Sequence, residues 1–160
     1  MVRRIVFVVA TIVLVTALRG AAPTLALDGA DLRPRGKEDR CVDIFQFNDS
    51  NGAPLVLWEC NDAINQRWAG GATIDGDIQS AWNGKCVTAV KRPEMPFRTL
   101  EMFDCTGGPD QHWVWDKRTD VRETLCLKFE PSQCLWWSPS LGLHVTDVNT
   151  GDGFRGWYFH

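Results

Sequence analysis

Residues 41–68 read "CVDIFQFNDSNGAPLVLWECNDAINQRW", and residues 86–113 repeat their frame as "CVTAVKRPEMPFRTLEMFDCTGGPDQHW". Each stretch begins with a cysteine, holds a second cysteine nineteen positions later and ends on Gln-x-Trp. The two copies are offset by 45 residues throughout. Self-similarity at a fixed period of this length is typical of a fold that is assembled from repeated units.

Short β-type runs such as "PLVLW" and "TLEMF" alternate with turn-forming clusters such as "NDSNG" and "TGGPD". No sustained helical period occurs after the N-terminal apolar run, so the sequence predicts an all-β domain. A third copy at the same spacing would end near residue 158, and Trp157 lies one position away. We therefore expect three units of about 45 residues over residues 37–160, the last one divergent.

The first residues have the order of a secretory signal peptide. Two arginines precede the apolar run 5–18, and residues 24–26 offer a small-x-small cleavage site. Fourteen apolar residues fall short of the roughly 20 that a membrane helix needs. We expect residues 1–26 to be a signal peptide, residues 27–36 a linker and residues 37–160 the domain, secreted and without a membrane span.

Charge and cysteine content exclude several classes of protein. The formal charge is −3 and becomes −6 once the leader, with three arginines and no acid, is removed, so no electrostatic case for nucleic acid exists. An even number of cysteines in an exported chain favours disulfides over zinc, since the closest cysteines are eight positions apart. We expect no metal and no cofactor. The repeat suggests three pairings: Cys41 with Cys60, Cys86 with Cys105, and Cys126 with Cys134.

Cys-Val-Asp, an aromatic residue shortly before the second cysteine and Asn-Gln-x-Trp together resemble the ricin B-type lectin family. The first unit matches this pattern almost throughout, the second matches in its frame, and the third mainly by position. The resemblance implies a β-trefoil of three four-stranded units about a pseudo-three-fold axis. It also implies carbohydrate binding, most often to galactose or N-acetylgalactosamine, so glycans on glycoproteins or polysaccharides are the expected partners.

The positions that contact sugar in the family match Asp43, Trp58 and Asn65. An ionised carboxylate accepts strong hydrogen bonds from hydroxyls, and an indole offers a flat face to a sugar ring. Gln66 follows Asn65 and belongs to the same candidate site, although a repeated Gln-x-Trp is mainly expected to serve folding. The alternative interpretation of the set is a turn cap, partly buried packing and an ordinary loop residue.

The second and third units depart from this pattern. Phe103 and Asp110 could form a weaker second site, but Thr88 replaces the aspartate, and a hydroxyl is a weaker acceptor than a carboxylate. In the third unit Trp136 takes the aspartate position and Thr146 the platform position, so we expect no site of this kind there. The sequence thus predicts one competent site, in the first unit.

Other functions are less well supported by the sequence. Paired cysteines leave no free nucleophile and no tuned acid is visible, so we expect no enzyme. A β-trefoil inhibitor of proteases or other hydrolases, acting through loop 91–93 or loop 139–141, is the alternative from another class. The chain could also be the glycan-targeting subunit of a toxin, or an oligomer. Asn48 begins a glycosylation sequon beside the candidate site.

Overall fold

A computed structural model describes residues 29–70, 74–116, 124–149 and 156–160. These residues form thirteen β-strands and two 3₁₀ turns, Phe45–Phe47 and Ile64–Gln66, which confirms the predicted all-β class. The strands are β1 (Ala30–Pro34), β2 (Arg40–Ile44), β3 (Ala53–Glu59), β4 (Arg67–Ala69), β5 (Asp75–Gly76), β6 (Gln79–Ser80), β7 (Cys86–Lys91), β8 (Arg98–Phe103), β9 (Trp113–Asp116), β10 (Thr124–Leu127), β11 (Glu130–Ser138), β12 (Gly142–Asp147) and β13 (Trp157–Phe159). No helix in this part of the chain has the length and hydrophobicity of a membrane span.

The strands divide into three units that share one plan. Each unit has an outer hairpin, β2–β3, β7–β8 or β11–β12, flanked by strands of a common barrel. The barrel ring runs through β13, β1, β4 and β6, continues from β5 to β9 and β10, and returns to β13 through a bridge between Thr124 and Gly156. Three hairpins around one barrel are a β-trefoil, as the sequence predicted.

Strand β1 begins inside the stretch that the sequence assigned to a linker. Ala30 pairs with Trp68 of β4, and Leu32, 1% exposed, lies opposite Phe159 of β13. The barrel needs this strand because β1 joins the first unit to the last. Residues 30–34 are therefore part of the fold within the described residues, upstream of the predicted boundary at residue 37. The predicted signal peptide, residues 1–26, lies outside the described residues.

One tryptophan per unit fills the centre of the barrel. Trp68, Trp113 and Trp157 are each fully buried, and each indole Nε1 donates to a backbone carbonyl of its own unit's hairpin. The acceptors are Val42 at 3.1 Å, Val87 at 3.0 Å and Leu135 at 2.9 Å. Each acceptor directly follows a cysteine, so the third unit keeps the geometry of the first two although its sequence has diverged.

The hairpins are in the same register, and disulfides fasten them. Cys41, Cys86 and Cys134 lie opposite Trp58, Phe103 and Thr146 respectively. All three predicted pairings are present: Cys41–Cys60, Cys86–Cys105 and Cys126–Cys134. The third bond joins neighbouring strands β10 and β11, where Cys126 and Cys134 lie directly opposite each other. Three disulfides are typical of a chain that folds in an oxidising compartment.

Candidate functional site

The first hairpin brings Asp43 and Trp58 onto one face. Asp43 on β2 lies opposite Val56 on β3, and Trp58 is two residues after Val56 on β3. The side chains of Asp43 and Trp58 are therefore diagonal neighbours on one face of the hairpin. Trp58 is 54% exposed, whereas Asp43 is only 6% exposed. The tryptophan therefore offers an accessible ring beside a partly sheltered carboxylate.

A pocket of about 270 Å³ opens between these two residues. Its lining also contains residues from the 3₁₀ turn after β2 and from the segment before β4. The lining residues are Asp43, Phe45, Gln46, Phe47, Trp58, Asn61 and Asn65. Polar groups and aromatic rings thus share one small cavity, which is the composition that a site for a polar ring-shaped ligand requires.

Gln66 holds the carboxylate of Asp43 in place. Its Nε2 donates to Asp43 Oδ2 at 2.8 Å and to the carbonyl of Glu59 at 3.0 Å, and its Oε1 accepts from the backbone of Asn61 at 3.1 Å. The side chain is fully buried, with both ends of the amide in use. Of the residues predicted for the site, Gln66 is therefore the one that positions another group and has no surface for a ligand.

Asn65 is also buried but lines the pocket. Its Nδ2 donates to the carbonyl of Ile44 at 3.1 Å, which ties the segment before β4 to the end of β2. Within the described residues, its Oδ1 is buried without a hydrogen-bond donor. An unpaired buried acceptor is unfavourable, so a donor brought into the pocket would be stabilised there.

Burial raises the pKa of Asp43 above its ordinary value of 3.8, because desolvation penalises the charged form. Hydrogen bonds from Gln66 and Asn65 act in the opposite direction and only partly offset the burial. Hydrogen bonds from ligand hydroxyls would therefore stabilise the ionised carboxylate of Asp43, because each bond replaces solvation that burial has removed.

The 3₁₀ turn Phe45–Phe47 contributes lining residues that the sequence prediction missed. Gln46 and Phe47 adopt left-handed backbone conformations, with φ of 55° and 53°. Bulky residues rarely do so, and such conformations concentrate at functional sites. The turn leaves Phe45 and Phe47 38% and 50% exposed, and Phe47 packs edge-on against Trp82 at 5.4 Å. The signal available in the sequence was "FQF", two aromatic residues directly after the Asp43 strand.

The second unit repeats the supporting bonds without the carboxylate. Gln111 Nε2 donates to Thr88 Oγ1 at 3.0 Å and to the carbonyl of Asp104 at 3.0 Å, and its Oε1 accepts from the backbone of Thr106 at 2.7 Å. These are the contacts of Gln66, shifted by one unit. The frame is conserved between the units, while the group that would face a ligand has changed from carboxylate to hydroxyl.

The other residues predicted for the second site have partners within the protein. Asp110 forms an ion pair with Arg98 at 2.6 Å, so its carboxylate is engaged. Glu101, 5% exposed, lies directly opposite Thr88 and pairs with Arg92. Phe103 occupies the same hairpin position as Trp58. The structure thus places the predicted residues at positions equivalent to those of the first unit and pairs the Asp110 carboxylate with Arg98.

The third unit and the sequon also lie where the sequence placed them. Trp136 takes the position of Asp43, two residues after the hairpin cysteine, and is 1% exposed, while Thr146 takes the platform position.

Asn48 is exposed in the loop that follows the 3₁₀ turn, and its Oδ1 accepts from the backbone of Ser50 at 3.0 Å.

One cluster of metal-ligand type in the described residues contains Asp77, Cys86 and Cys105. The two cysteines form a disulfide bond with each other, which removes both thiolates from coordination. This cluster therefore does not offer a metal site. The same part of the chain contains no free cysteine.

Comparison with known proteins agrees with this geometry. Agglutinin-1 of Abrus precatorius is 30% identical over 131 residues, which are 78% of this chain and 22% of that protein. Nigrin b of Sambucus nigra is 43% identical over 85 residues, or 53% of this chain and 14% of that protein. The chain thus spans less than a quarter of the length of either relative.

Two solved structures share the fold. The β-trefoil lectin of the Vibrio vulnificus hemolysin/cytolysin, with N-acetyl-D-lactosamine bound, has a TM-score of 0.62 at 21% identity and covers 82% of this chain and 93% of that one. The designed three-fold symmetric protein ThreeFoil has a TM-score of 0.65 at 18% identity, covering 81% and 96%. A sequence profile of the ricin-type β-trefoil lectin domain matches residues 29–152. The chain therefore belongs to the ricin-type β-trefoil lectin family and is a carbohydrate-binding domain of that type.

Proposed function

We propose that this protein is a secreted lectin that binds galactose- or N-acetylgalactosamine-type glycans through one site of this type, in its first unit. The observation that carries the proposal is the carboxylate of Asp43, fixed by Gln66 at 2.8 Å beside the exposed ring of Trp58. The equivalent position in the second unit has only the hydroxyl of Thr88.

The proposed binding mode follows from the chemistry of the lining. Ring hydroxyls donate to Asp43, a further hydroxyl donates to Asn65 Oδ1, and the less polar ring face stacks on Trp58. The pocket lining contains a single carboxylate. Cleavage of a glycosidic bond ordinarily requires two carboxyl groups across the bond, so this pocket is suited to binding and not to hydrolysis.

A small open site of this kind binds weakly. We expect a Kd on the order of 0.1–1 mM for a monosaccharide, about −4 to −5 kcal/mol. Useful avidity then requires clustered glycans and more than one lectin site, because linked binding events act at high effective concentration. Export by the predicted leader would bring the domain to such glycans outside the cell.

The deciding experiment is a glycan array with the secreted protein and the variants Asp43→Ala and Thr88→Ala. Asp43→Ala should abolish binding of galactose-type ligands while circular dichroism shows an intact fold. Thr88→Ala is the matched control, because it truncates the equivalent position of the second unit and should leave binding unchanged. Undiminished binding by Asp43→Ala would place the site elsewhere.

Two other roles can be tested with the same material. Two relatives are agglutinins by name and one solved structure of this fold is a mosquitocidal holotoxin. If this chain is the glycan-targeting subunit of such a complex, the immobilised domain should capture a partner from the native secretion. The inhibitor alternative relies on loops 91–93 and 139–141. Arg92 of the first loop is held by Glu101 at 2.5 Å, so its cation is already neutralised within the protein. If loop 91–93 had that role, the parent protein would inhibit a member of a protease panel and Arg92→Ala would lose this inhibition.

A further inference from the structure

The loop between the 3₁₀ turn Phe45–Phe47 and β3 contains the one Asn-x-Ser/Thr triplet of the sequence, Asn48-Asp49-Ser50. All three residues of this triplet are exposed. In an exported chain such a triplet is an acceptor for an N-linked oligosaccharide. None of the three residues lines the Asp43 pocket, so the proposed sugar site does not account for them.

The local hydrogen bonds leave the amide nitrogen of the Asn48 side chain available. Its Oδ1 accepts from the backbone N–H of Ser50 at 3.0 Å, and the backbone N–H of Asn48 donates to the carbonyl of Phe45 at 3.1 Å. Within the described residues, Nδ2 of Asn48 makes no hydrogen bond. The nearby Asn51 differs, because its Nδ2 donates to the carboxylate of Asp104 at 2.9 Å. Asn48 therefore has the exposure and the free nitrogen that modification requires.

Asn48 is adjacent to the wall of the Asp43 pocket. Phe45, Gln46 and Phe47 line this pocket, and Asn48 follows them directly in the chain. Consecutive Cα atoms are about 3.8 Å apart, so a sugar on Asn48 begins one residue away from the lining. The hydrogen bond from Asn48 to Phe45 closes the turn and keeps this position beside the pocket.

The aromatic rings before Asn48 offer a surface for the first sugars of an attached oligosaccharide. Phe45 and Phe47 are 38% and 50% exposed, although Phe47 also packs edge-on against Trp82. The less polar face of a sugar ring can cover such a side chain and remove apolar area from water. An oligosaccharide that covers these two rings lies across the rim of the pocket, because both rings belong to its lining.

We propose that Asn48 carries an N-linked oligosaccharide, which restricts the Asp43 pocket to terminal sugars of unbranched glycans. The oligosaccharide covers Phe45 and Phe47 and leaves Asp43 and Trp58 free to bind. A single terminal sugar enters the remaining opening, whereas a branched glycan collides with the attached chain. This role rests on the export and on the sugar binding at Asp43 that are proposed above.

The modification is a glycosyl transfer to the side-chain amide. Nδ2 of Asn48 attacks the anomeric carbon of an oligosaccharide that is carried on a lipid pyrophosphate. A C–N bond forms while the bond from that carbon to the pyrophosphate oxygen breaks, and the oxygen keeps the electron pair. One amide proton is released to a base, and no oxidant or reductant takes part. The product is a bulky hydrophilic group on the protein surface.

Mass spectrometry of the protein from its native secretion tests the modification. We expect the peptide that contains residues 48–50 to carry the mass of an oligosaccharide. An amidase that releases N-linked glycans should remove this mass and convert the asparagine to aspartate. An unmodified peptide would overturn the proposal. The measurement does not involve sugar binding, so its result is independent of the Asp43 site.

The restriction is tested by glycan binding, with protein from a host that glycosylates secreted chains. Asn48→Gln and Ser50→Ala each remove the acceptor triplet, whereas Ser50→Thr keeps it and is the matched control. Both glycan-free variants should bind branched galactose-terminated glycans about tenfold more tightly than the parent and bind galactose itself with unchanged affinity. Ser50→Thr should bind both ligands as the parent does.

Two binding results would overturn the restriction. One is equal affinity of the parent and the glycan-free variants for branched glycans. The other is an equal gain for galactose itself, which would mean that the attached oligosaccharide occupies the pocket. Ser50→Ala keeps the Asn48 side chain, so it remains informative if Asn48→Gln perturbs the loop. Undiminished binding by Asp43→Ala would count against the proposed sugar site alone, since the mass of the oligosaccharide on Asn48 is measured separately.

Discussion

Asp43 lies where the hydrogen bonds of the scaffold meet the proposed ligand site. The side-chain amide of Gln66, which contacts Asp43, makes all its hydrogen bonds within the protein, with Asp43, Glu59 and Asn61. The second unit forms the same set of bonds around Gln111 with a threonine in place of the aspartate. The fold thus needs the glutamine and accepts either residue beside it. A carboxylate at this position is an addition to the scaffold, and ligand binding is its proposed use.

The raised pKa of Asp43 predicts how acid affects sugar binding. Below its folded-state pKa the carboxyl is protonated and loses its role as a strong acceptor, so affinity falls with decreasing pH. Because burial raises this pKa above 3.8, the loss should begin at a higher pH than for an exposed aspartate. Calorimetric titration across acidic pH measures it. Asp43→Asn should show weak binding with no such pH dependence; a parent protein that is insensitive to pH down to 3.8 would contradict the prediction.

Sequence patterns predicted which of these residues share a pocket, but not the loop that shapes the pocket. Asp43, Trp58 and Asn65 share one pocket, as their positions in the family pattern suggested. Phe45 and Phe47 were missed because their placement depends on left-handed backbone at Gln46 and Phe47, which no residue type there signals. Asp110 stays a predicted residue of the weaker second site, and its ion pair with Arg98 could not be predicted because the two residues are twelve positions apart.

At the level of the hairpin, the strand partner decides whether a unit can carry a carboxylate. Asp43 faces Val56, whereas Thr88 faces Glu101. Two carboxylates directly opposite each other on paired strands repel. The second unit therefore differs from the first at two linked positions, and restoring one of them is not sufficient.

Thr88→Asp alone should destabilise the fold by roughly 0.2–1 kcal/mol and create no site, because the new carboxylate faces Glu101. Thr88→Asp combined with Glu101→Val copies the first hairpin and should give weak sugar binding beside Phe103. Urea denaturation and NMR shifts of Phe103 during titration with galactose provide the two readouts. Sugar binding by the single variant, equal to that of the double, would refute this account of the strand partner.

The stabilisation that each disulfide gives increases with the length of the loop that it closes. Cys41–Cys60 closes nineteen residues and Cys126–Cys134 closes eight. Replacing the first pair by serine should lower the free energy of unfolding by about 2–5 kcal/mol, and replacing the third by about 0.8 kcal/mol less, since the loop entropy is smaller. Denaturant titration of both double variants measures this. Melting of the first variant at the parent temperature would show that the bond is dispensable.

For the whole molecule, the 45-residue spacing predicted three repeated units and three disulfide pairings, while the trefoil was implied by the resemblance to the ricin B-type family. The sequence of the third unit has diverged, yet the Trp157 indole donates to the carbonyl of Leu135 as the Trp68 indole donates to the carbonyl of Val42. Strand β1 was missed because it is stabilised by the last strand of the chain, and pairing at that distance leaves no local period.

The symmetry of the core leads to a prediction for the three central tryptophans. Each is fully buried with its indole bonded to its own hairpin. Trp157→Ala should therefore cost about 3–5 kcal/mol, as should Trp68→Ala and Trp113→Ala. Thermal and chemical unfolding of the three variants allow the comparison. A loss below roughly 1 kcal/mol for Trp157→Ala alone would mean that the third unit is not an equal part of the core.

The pairing of β1 with β13 also determines how the domain responds to a pulling force. Asp31 and His160 exchange two backbone hydrogen bonds at the end of this ladder, and each disulfide lies within a single unit. Tension between residues 31 and 160 would load the rungs of the ladder one after another, as in opening a zipper, with no covalent bond across the seam. The barrel should therefore open at low force along this seam while the three disulfide-closed loops stay intact, a mechanical weakness that single-molecule stretching would detect.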